Sequence, residues 1–223
     1  MQQPIHTTTI TFPEIRLQTR DAHKLRGYFG TLFKDHSPLL HNHLESGESH
    51  YRYPLVQYKV VNQQPMLMGF NEGGELLTNL FLKVQELELD GRIYPVLSKN
   101  IVNKRWEIGL EADLTKYRYQ TLWMGLNQQN YRKYASEQDG QERLGQLKRI
   151  AISNVLAFYK AFGLILPKDQ RILLNLEVRE KSTQFKNQQM LAFTGGFTTN
   201  AVLPDFAGLG KSVARGFGTI KRI

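Results

Sequence analysis

The 223-residue sequence contains no cysteine, which excludes disulfides and thiolate metal sites and suits a cytosolic protein. It has no apolar run near the roughly 18 residues that a membrane-spanning helix requires. Its first residues, MQQPIHTTTITF, have neither a charged start nor an apolar block, so no secretory signal peptide is expected. The sequence therefore predicts a cytoplasmic globular protein with no membrane partner.

What the chain has in excess is positive charge, and that excess lies in one half. The net charge is +9. Residues 1–103 contain 10 Lys and Arg against 10 Asp and Glu, whereas residues 104–223 contain 19 against 10. All six histidines lie within the first 50 residues. A basic half favours an anionic partner, most simply nucleic acid, and a merely solvated surface is the alternative.

The first half has the pattern of a ferredoxin-like domain. A β-branched, alternating segment at 5–19 predicts a strand, and a helix follows Asp21. Two strands around the turn at 62–65 predict a hairpin, a short helix comes next, and strand-rich residues at 85–96 complete a β-α-β-β-α-β order.

The second half repeats this order without repeating the sequence. It opens with a strand at 117–126, contains a helix at about 140–163, and ends in two strands, a loop and a short strand. The charge break and the restart of the pattern place a boundary near 103–115. The predicted domains are therefore residues 1–105 and 106–223.

Near the C-terminus, the segment 208–218 reads GLGKSVARGFG, two Gly-apolar-Gly groups separated by five residues. Its Gly-Lys-Ser resembles a Walker A loop, but Asp205 stands where that motif needs its first glycine, and few residues follow for the required helix. A turn with mobile glycines is one alternative. The other is a backbone-rich loop that lets a polyanion approach closely, with charge from Lys211 and Arg215.

These features resemble the RAMP superfamily of CRISPR-associated proteins, and within it the b subtype of the endoribonucleases that cut precursor CRISPR RNA. The segments HKLRGYFGTLF, LLHNHLESG and YPLVQYKVV are similar to the N-terminal half of that subtype, and LPDFAGLGKSVARGFGTI is similar to its C-terminal half. The resemblance implies an α+β fold of two tandem ferredoxin-like (RRM-like) domains, CRISPR repeat RNA as substrate, and no cofactor or metal. Other CRISPR effector subunits and a second copy in a homodimer are further candidate partners.

The resemblance also implies that catalytic histidines lie in the segment with His41 and His43. Imidazole suits both proton transfers of RNA cleavage because its unperturbed pKa is ~6.5. Two positions apart, the rings share one side of an extended segment but diverge in a helix. Tyr51 and Lys59 are candidates to assist. Lys59 is the best candidate to stabilise developing charge, and a strand lysine facing solvent is the alternative.

The predicted RNA-binding residues come from three places in the basic half: the glycine-rich loop, the start of the long helix, where cations oppose the helix dipole, and a basic hairpin. They are Gly208, Gly210, Lys211, Arg215, Gly216, Gly218, Arg143, Lys148, Arg149, Arg179 and Lys181. Tyr117, Tyr119 and Tyr131 are interleaved with cations and are candidates to stack on unpaired bases.

Three alternatives to a metal-independent endoribonuclease stay open. A catalytically silent RNA-binding subunit of a CRISPR complex would share the fold. A metal-dependent nuclease could gather His41, His43 and His50 with Glu45 or Glu48 around zinc. An ATP-using protein would bind nucleotide at the glycine-rich loop. The interpretation adopted is that the neutral half provides the histidines, while the basic half holds repeat RNA.

Overall fold

The computed structural model describes residues 2–32, 53–185 and 188–223. These residues form helices and antiparallel strands, as the α+β prediction requires. They divide into two compact units, which are described in turn.

The N-terminal unit comprises Pro4–Trp106 together with the short segment Ala214–Gly216. Its elements are β1 (Gln2–Thr11), α1 (Ala22–Leu32), β2 (Val56–Val61), β3 (Gln64–Phe70), α2 (Glu72–Leu80), β4 (Glu86–Leu89), β5 (Arg92–Pro95) and the start of β6 (Asn100–Tyr119). The strand order β2-β3-β1-β6 places the first and third strands in the middle. The fourth sheet strand is thus the start of β6, whereas the residues predicted to supply it, 85–96, form the separate β4–β5 hairpin.

Helix α1 packs on the sheet through one apolar face. Ala22, Leu25 and Phe29 are buried at helical spacing, and the Phe29 ring stacks on Tyr58 of β2 with 5.9 Å between ring centroids. Because side chains alternate along a strand, Tyr58 faces α1 while its neighbours Gln57 and Lys59 face the other side of the sheet. This alternation decides on which face of the sheet the candidate lysine lies.

The C-terminal unit comprises mainly Glu107–Val213 and Phe217–Ile223. Its elements are the rest of β6, α3 (Gln128–Ser136), α4 (Gly140–Ala161), β7 (Leu174–Phe185), β8 (Gln188–Val202) and β9 (Ile220–Arg222). The strand order β9-β6-β8-β7 again places the first and third strands in the middle. The segment between β8 and β9, which contains the glycine-rich loop, occupies the chain position of the second helix.

Helix α4 has the capping that its sequence encodes. The Asp139 side chain accepts a hydrogen bond from the Gln141 backbone N–H at 2.8 Å. Beyond the last helical residue, Gly163 adopts a φ of 79° and its N–H donates to the Lys160 carbonyl at 3.1 Å. None of the helices in the described ranges, α4 included, is both long and apolar enough to cross a membrane.

Strands β7 and β8 form a longer hairpin than the sequence indicates. The sequence of the basic segment 181–189 predicts a turn, but pairing continues from Leu174↔Thr199 to Phe185↔Gln188, so most of this segment is strand. Gly196 crosses β6 so closely that a Cβ there would overlap the Tyr117 carbonyl oxygen. This glycine therefore permits a close strand-to-strand approach.

Candidate nucleic-acid interface

The predicted catalytic residues His41, His43 and Tyr51 lie outside the described residues, as does the alternative metal ligand His50. Their roles stay predictions. Within the ranges that are described, no group of three or more His, Cys, Asp or Glu side chains is arranged to hold a metal ion.

Lys59 lies on β2 and is fully buried, with 0% of its surface exposed. Its Nζ donates a hydrogen bond to Oε1 of the equally buried Gln57 at 2.7 Å. Gln57 in turn donates through Nε2 to the Pro54 carbonyl at 3.3 Å. The alternative of a solvent-facing lysine is therefore wrong, because both faces of this strand are covered.

Burial gives Lys59 an acid-base character unlike that of a surface lysine. Removal from water lowers the pKa of its ammonium group to about 7, since a low-dielectric surrounding disfavours the charged form. A lysine with this pKa exchanges protons near neutrality, and such perturbed groups concentrate at functional sites. Sequence reasoning missed Gln57, which positions the amine; the alternation along β2 places both residues on one face but cannot show that this face is covered.

The glycines of the 208–218 loop serve the packing of the protein itself. Gly218 has a φ of 64°, and a Cβ there would overlap the carbonyl oxygen of Leu209. The Leu209 N–H in turn donates a hydrogen bond to the Gly218 carbonyl at 2.9 Å. Gly210 has a φ of 93°, and a Cβ would stand 2.8 Å from the Met124 carbonyl oxygen. Gly208 is buried and pairs with Thr219. The loop is therefore a fixed element rather than a turn with mobile glycines.

The loop is not a Walker A phosphate site. Ser212 leads into a single 3-10 turn, Val213–Arg215, where that motif requires a long helix. Asp205, at the position of the missing glycine, accepts a hydrogen bond from the Arg222 backbone N–H at 2.9 Å. The ATP alternative is excluded by this geometry.

The two cations of the loop are partly exposed. The Lys211 backbone is anchored by its N–H, which donates to the Met124 carbonyl at 2.9 Å. Residues 214–216 pack with the N-terminal unit, where a Cβ on Gly216 would stand 2.9 Å from the Ala22 Cβ. Partial burial and the nearby positive charge of Arg26 lower the pKa of Arg215. Arg26 was not predicted, because the sequence does not show that the C-terminal loop reaches α1.

At the start of α4, the three predicted cations divide into two kinds. Arg143 is engaged inside the C-terminal unit: its Nε donates to the Glu137 carbonyl at 2.7 Å, and its guanidinium lies over the Tyr134 ring, 5.1 Å from the centroid. This packing explains a cation that opposes the helix dipole. Lys148 and Arg149 are exposed and stay candidates for RNA contacts.

Arg179 and Lys181 project from β7 at alternate positions and are exposed, so they share one face of the hairpin. Of the three tyrosines proposed to stack on bases, Tyr117 and Tyr119 are core residues with 1% and 7% of their surface exposed. The stacking prediction is wrong for these two, since neither ring is accessible. Tyr131 is 48% exposed and stays available to a base.

Each of the two units has its first and third strands at the centre of an antiparallel sheet, and the second unit carries a glycine-rich loop. These features define a tandem ferredoxin-like protein of the RAMP kind. A family model of the Cas6b N-terminal domain matches residues 3–107, and one of the Cas6b C-terminal domain matches residues 109–223. The chain therefore belongs to the Cas6b family, and the predicted fold is confirmed.

Two solved structures are similar to this chain over nearly its full length. A crystal structure of Cas6b shares 30% sequence identity, with a TM-score of 0.93 over 99% of this chain and 100% of that one. A second, described as the CRISPR RNA processing endoribonuclease Cas6b, shares 28% identity, with a TM-score of 0.80 over the same fractions. An uncharacterized protein of Methanocaldococcus jannaschii is 29% identical over 145 residues, which cover 65% of this chain and 97% of that protein.

Proposed function

We propose that this chain is an endoribonuclease that cleaves CRISPR repeat RNA in precursor transcripts without a metal ion. The observation that carries the proposal is the match of both halves to Cas6b, because a protein with the same fold and 28% identity is described as a CRISPR RNA processing endoribonuclease. The exposed cations on α4 and β7 support a polyanionic substrate.

The reaction is an internal transesterification. The 2′-oxygen attacks the adjacent phosphorus, and the bond between phosphorus and the 5′-oxygen breaks. One histidine of the pair His41 and His43 takes the proton of the 2′-hydroxyl, and the other gives a proton to the leaving 5′-oxygen. The products are a 2′,3′-cyclic phosphate and a 5′-hydroxyl. Tyr51 stays a candidate to assist either transfer.

Lys59 is proposed to stabilise the charged phosphorane as an ammonium group. Its pKa of about 7 leaves enough of the charged form near neutral pH for this role. Because the side chain is fully buried, it reaches RNA only after covering residues move. The proposal therefore includes a conformational step on binding, which uncovers the amine while Gln57 keeps it oriented.

The test is cleavage of repeat RNA by the purified full chain in excess EDTA, with the RNA ends identified. We expect full cutting with cyclic phosphate ends, and a loss of at least ~10²-fold for His41→Ala and for His43→Ala, the scale of general acid-base catalysis. His6→Ala, which removes an exposed histidine of β1, is the matched control and should cut normally.

Two outcomes would contradict the proposal in different ways. Tight binding of repeat RNA with no cutting by the unaltered chain identifies a silent RNA-binding subunit. Cutting that stops in EDTA and returns with zinc identifies a metal-dependent nuclease.

A further inference from the structure

We propose that a cleft between α3 and the β7–β8 hairpin binds one unpaired guanine of the repeat RNA. In this guanine site, Tyr131 stacks on the base and Glu180 accepts hydrogen bonds from its edge. The inference rests on the proposed function, and it adds a contact that reads a base, whereas the exposed cations contact phosphates.

The cleft has the size and the walls of a small-ligand site within the C-terminal unit. Its volume is about 470 Å³, within the roughly 300–1,000 Å³ that such sites occupy. Helix α3 and the first turn of α4 form one wall, and the two strands of the hairpin form the other. Its polar and aromatic lining comes from Tyr131, Tyr134, Arg143, Glu180, Ser182 and Gln189.

The Glu180 carboxylate is held in place but keeps room for a ligand. The Tyr134 hydroxyl donates a hydrogen bond to Glu180 Oε1 at 2.6 Å, and Nη1 of Arg143 lies 3.9 Å from the same oxygen. Burial, together with this hydrogen bond, raises the pKa of Tyr134 to about 12, so its hydroxyl stays a donor. A carboxylate offers about four lone-pair sites, and in the described part of the chain Glu180 accepts this one hydrogen bond. Because its side chain is 50% exposed, the remaining acceptor sites are open to a ligand.

These acceptor sites select guanine among the four bases. Guanine presents two adjacent donors, N1–H and the N2 amino group, on its Watson–Crick edge, and a carboxylate accepts from both at once. Each of the other bases presents a single donor group on that edge, next to an acceptor. A phosphate does not fit, because the two charged residues that line the cleft, Arg143 and Glu180, have opposite signs.

The cleft also offers a ring on which the base can stack. Tyr131 lines it with 48% of its surface exposed, and stacking on an aromatic ring is a main contribution to the binding of single-stranded RNA. The exposed cations Arg132 and Lys133 follow Tyr131 directly on α3, which places positive charge for the flanking phosphates nearby. On the hairpin side, Gln189 Nε2 donates to Ser182 Oγ at 2.8 Å, and this bond holds the two strands of that wall together.

Glu180→Gln gives the sharpest test, because charge alone predicts the opposite result. Removing a carboxylate makes the chain more positive, so a purely electrostatic effect would tighten RNA binding. We expect Glu180→Gln instead to bind repeat RNA about tenfold more weakly, the scale of losing one good base contact. The matched control is Glu177→Gln, which removes the same charge from the opposite face of β7. It should bind at least as tightly as the unaltered chain.

A second measurement uses repeat RNAs in which each nucleotide in turn lacks its base. At one guanine position, the missing base should weaken binding by the unaltered chain about tenfold and should have no further effect on Tyr131→Ala. Tyr131→Phe keeps the ring and should respond as the unaltered chain does. Adenine at that position should cost the unaltered chain about tenfold in affinity and Glu180→Gln less than about twofold.

The outcomes separate this inference from the function on which it rests. Equal affinities of Glu180→Gln and Glu177→Gln, or a scan in which no guanine position depends on Tyr131, would overturn the guanine site, while cleavage by the unaltered chain would leave the proposed function standing. Failure of the unaltered chain to bind repeat RNA would overturn the proposed function and the guanine site together.

Discussion

Three lysines of the N-terminal unit are held within the protein, whereas two elements of the C-terminal unit present a group of exposed cations. In the N-terminal unit, Lys59 is fully buried, Lys24 pairs with two carboxylates, and the Lys99 amine donates to the Phe81 and Val84 carbonyls at 2.7 and 2.8 Å. In the C-terminal unit, by contrast, five exposed cations lie on α4 and β7: Lys148, Arg149, Lys160, Arg179 and Lys181.

This difference shows that the buried and the exposed cations serve two different purposes. Exposed cations attract a polyanion and release its counterions, so their effect appears in affinity and depends on salt. A buried amine is shifted in pKa and little screened by salt, so its effect appears in proton-dependent chemistry and in folding stability. We therefore assign chemistry to the N-terminal unit and binding mainly to the C-terminal unit.

The largest expected effect that tests this contrast belongs to Lys59→Met. We expect the cleavage rate to fall by about 10²–10³-fold, the usual effect of removing one group that stabilises a transition state. Folding stability at pH 7 should rise by about 1–3 kcal/mol, because a well-packed apolar chain replaces a buried amine. The measurements are single-turnover cleavage and denaturant unfolding, with the exposed Lys104→Met as control. Unchanged cleavage would remove Lys59 from the mechanism.

The same residue predicts how stability depends on pH. Burial lowers the pKa of Lys59 from 10.5 to about 7, so between these values the unfolded chain binds more protons than the folded one. Stability therefore rises with pH across the window from about 7 to 10.5, at a slope approaching ~1.4 kcal/mol per unit. Lys59→Met should remove this rise, and a slope that is the same in both proteins would show that the amine is not desolvated.

Gly218→Ala has the next largest effect and tests whether the C-terminal loop is a rigid platform. A Cβ would overlap the Leu209 carbonyl oxygen at a residue whose φ is 64°, so the free energy of unfolding should fall by about 3 kcal/mol. Thermal or denaturant unfolding measures it. A loss below about 0.5 kcal/mol would show that the loop adapts, and that its glycines are not fixed by packing.

Removing exposed cations should give smaller, salt-dependent effects. The double variant Arg179→Ala with Lys181→Ala is expected to weaken repeat RNA binding about tenfold and to lower the salt slope by about 1.4–1.8. The matched control is Arg16→Ala with Arg20→Ala, which removes the same charge from exposed positions of the N-terminal unit. Equal losses in the two double variants would mean that net charge alone, and not its placement, controls binding.

The smallest effect concerns Gly27→Ala in the exposed face of α1. Among the residues that the structure describes, no atom lies within 4 Å of the added methyl group. Because alanine is also the better helix former, stability should rise by about 0.5–1 kcal/mol. Thermal or denaturant unfolding measures this change. A loss of stability would contradict the unobstructed position of Gly27 on the helix.

The sequence predicted those parts of the fold whose signals are local. Helix α4 has regular apolar spacing and a capping aspartate, and the β2–β3 hairpin turns at Asn62 and Gln63, whose φ values of 50° and 65° suit a two-residue turn. Strand β6 was recognised only in its last part, because most of its earlier residues are exposed and lack the alternation of a half-buried strand. Helix α3 was missed since Tyr134 is its one buried residue.

The candidate site was predictable in composition but not in arrangement. The basic half, the glycine-rich loop and the lysine on β2 follow from the order of residues. The burial of Lys59, the engagement of Arg143 with Glu137, and the contact of Gly216 with Ala22 depend on residues far apart in the chain. Tyr117 and Tyr119 show the same limit: their interleaving with cations suggested base stacking, yet alternation along β6 turns both rings into the core.

The most direct test of the account compares two quantities, the single-turnover cleavage rate at saturating repeat RNA and the dissociation constant. Lys59→Met should lower the rate by at least ~10²-fold while affinity changes by less than about threefold. The Arg179→Ala and Lys181→Ala double variant should weaken affinity about tenfold and leave the saturated rate within about twofold. The reverse pattern, with rate lost through the exposed cations and affinity lost through the buried amine, would contradict the assignment of chemistry and binding to the two units.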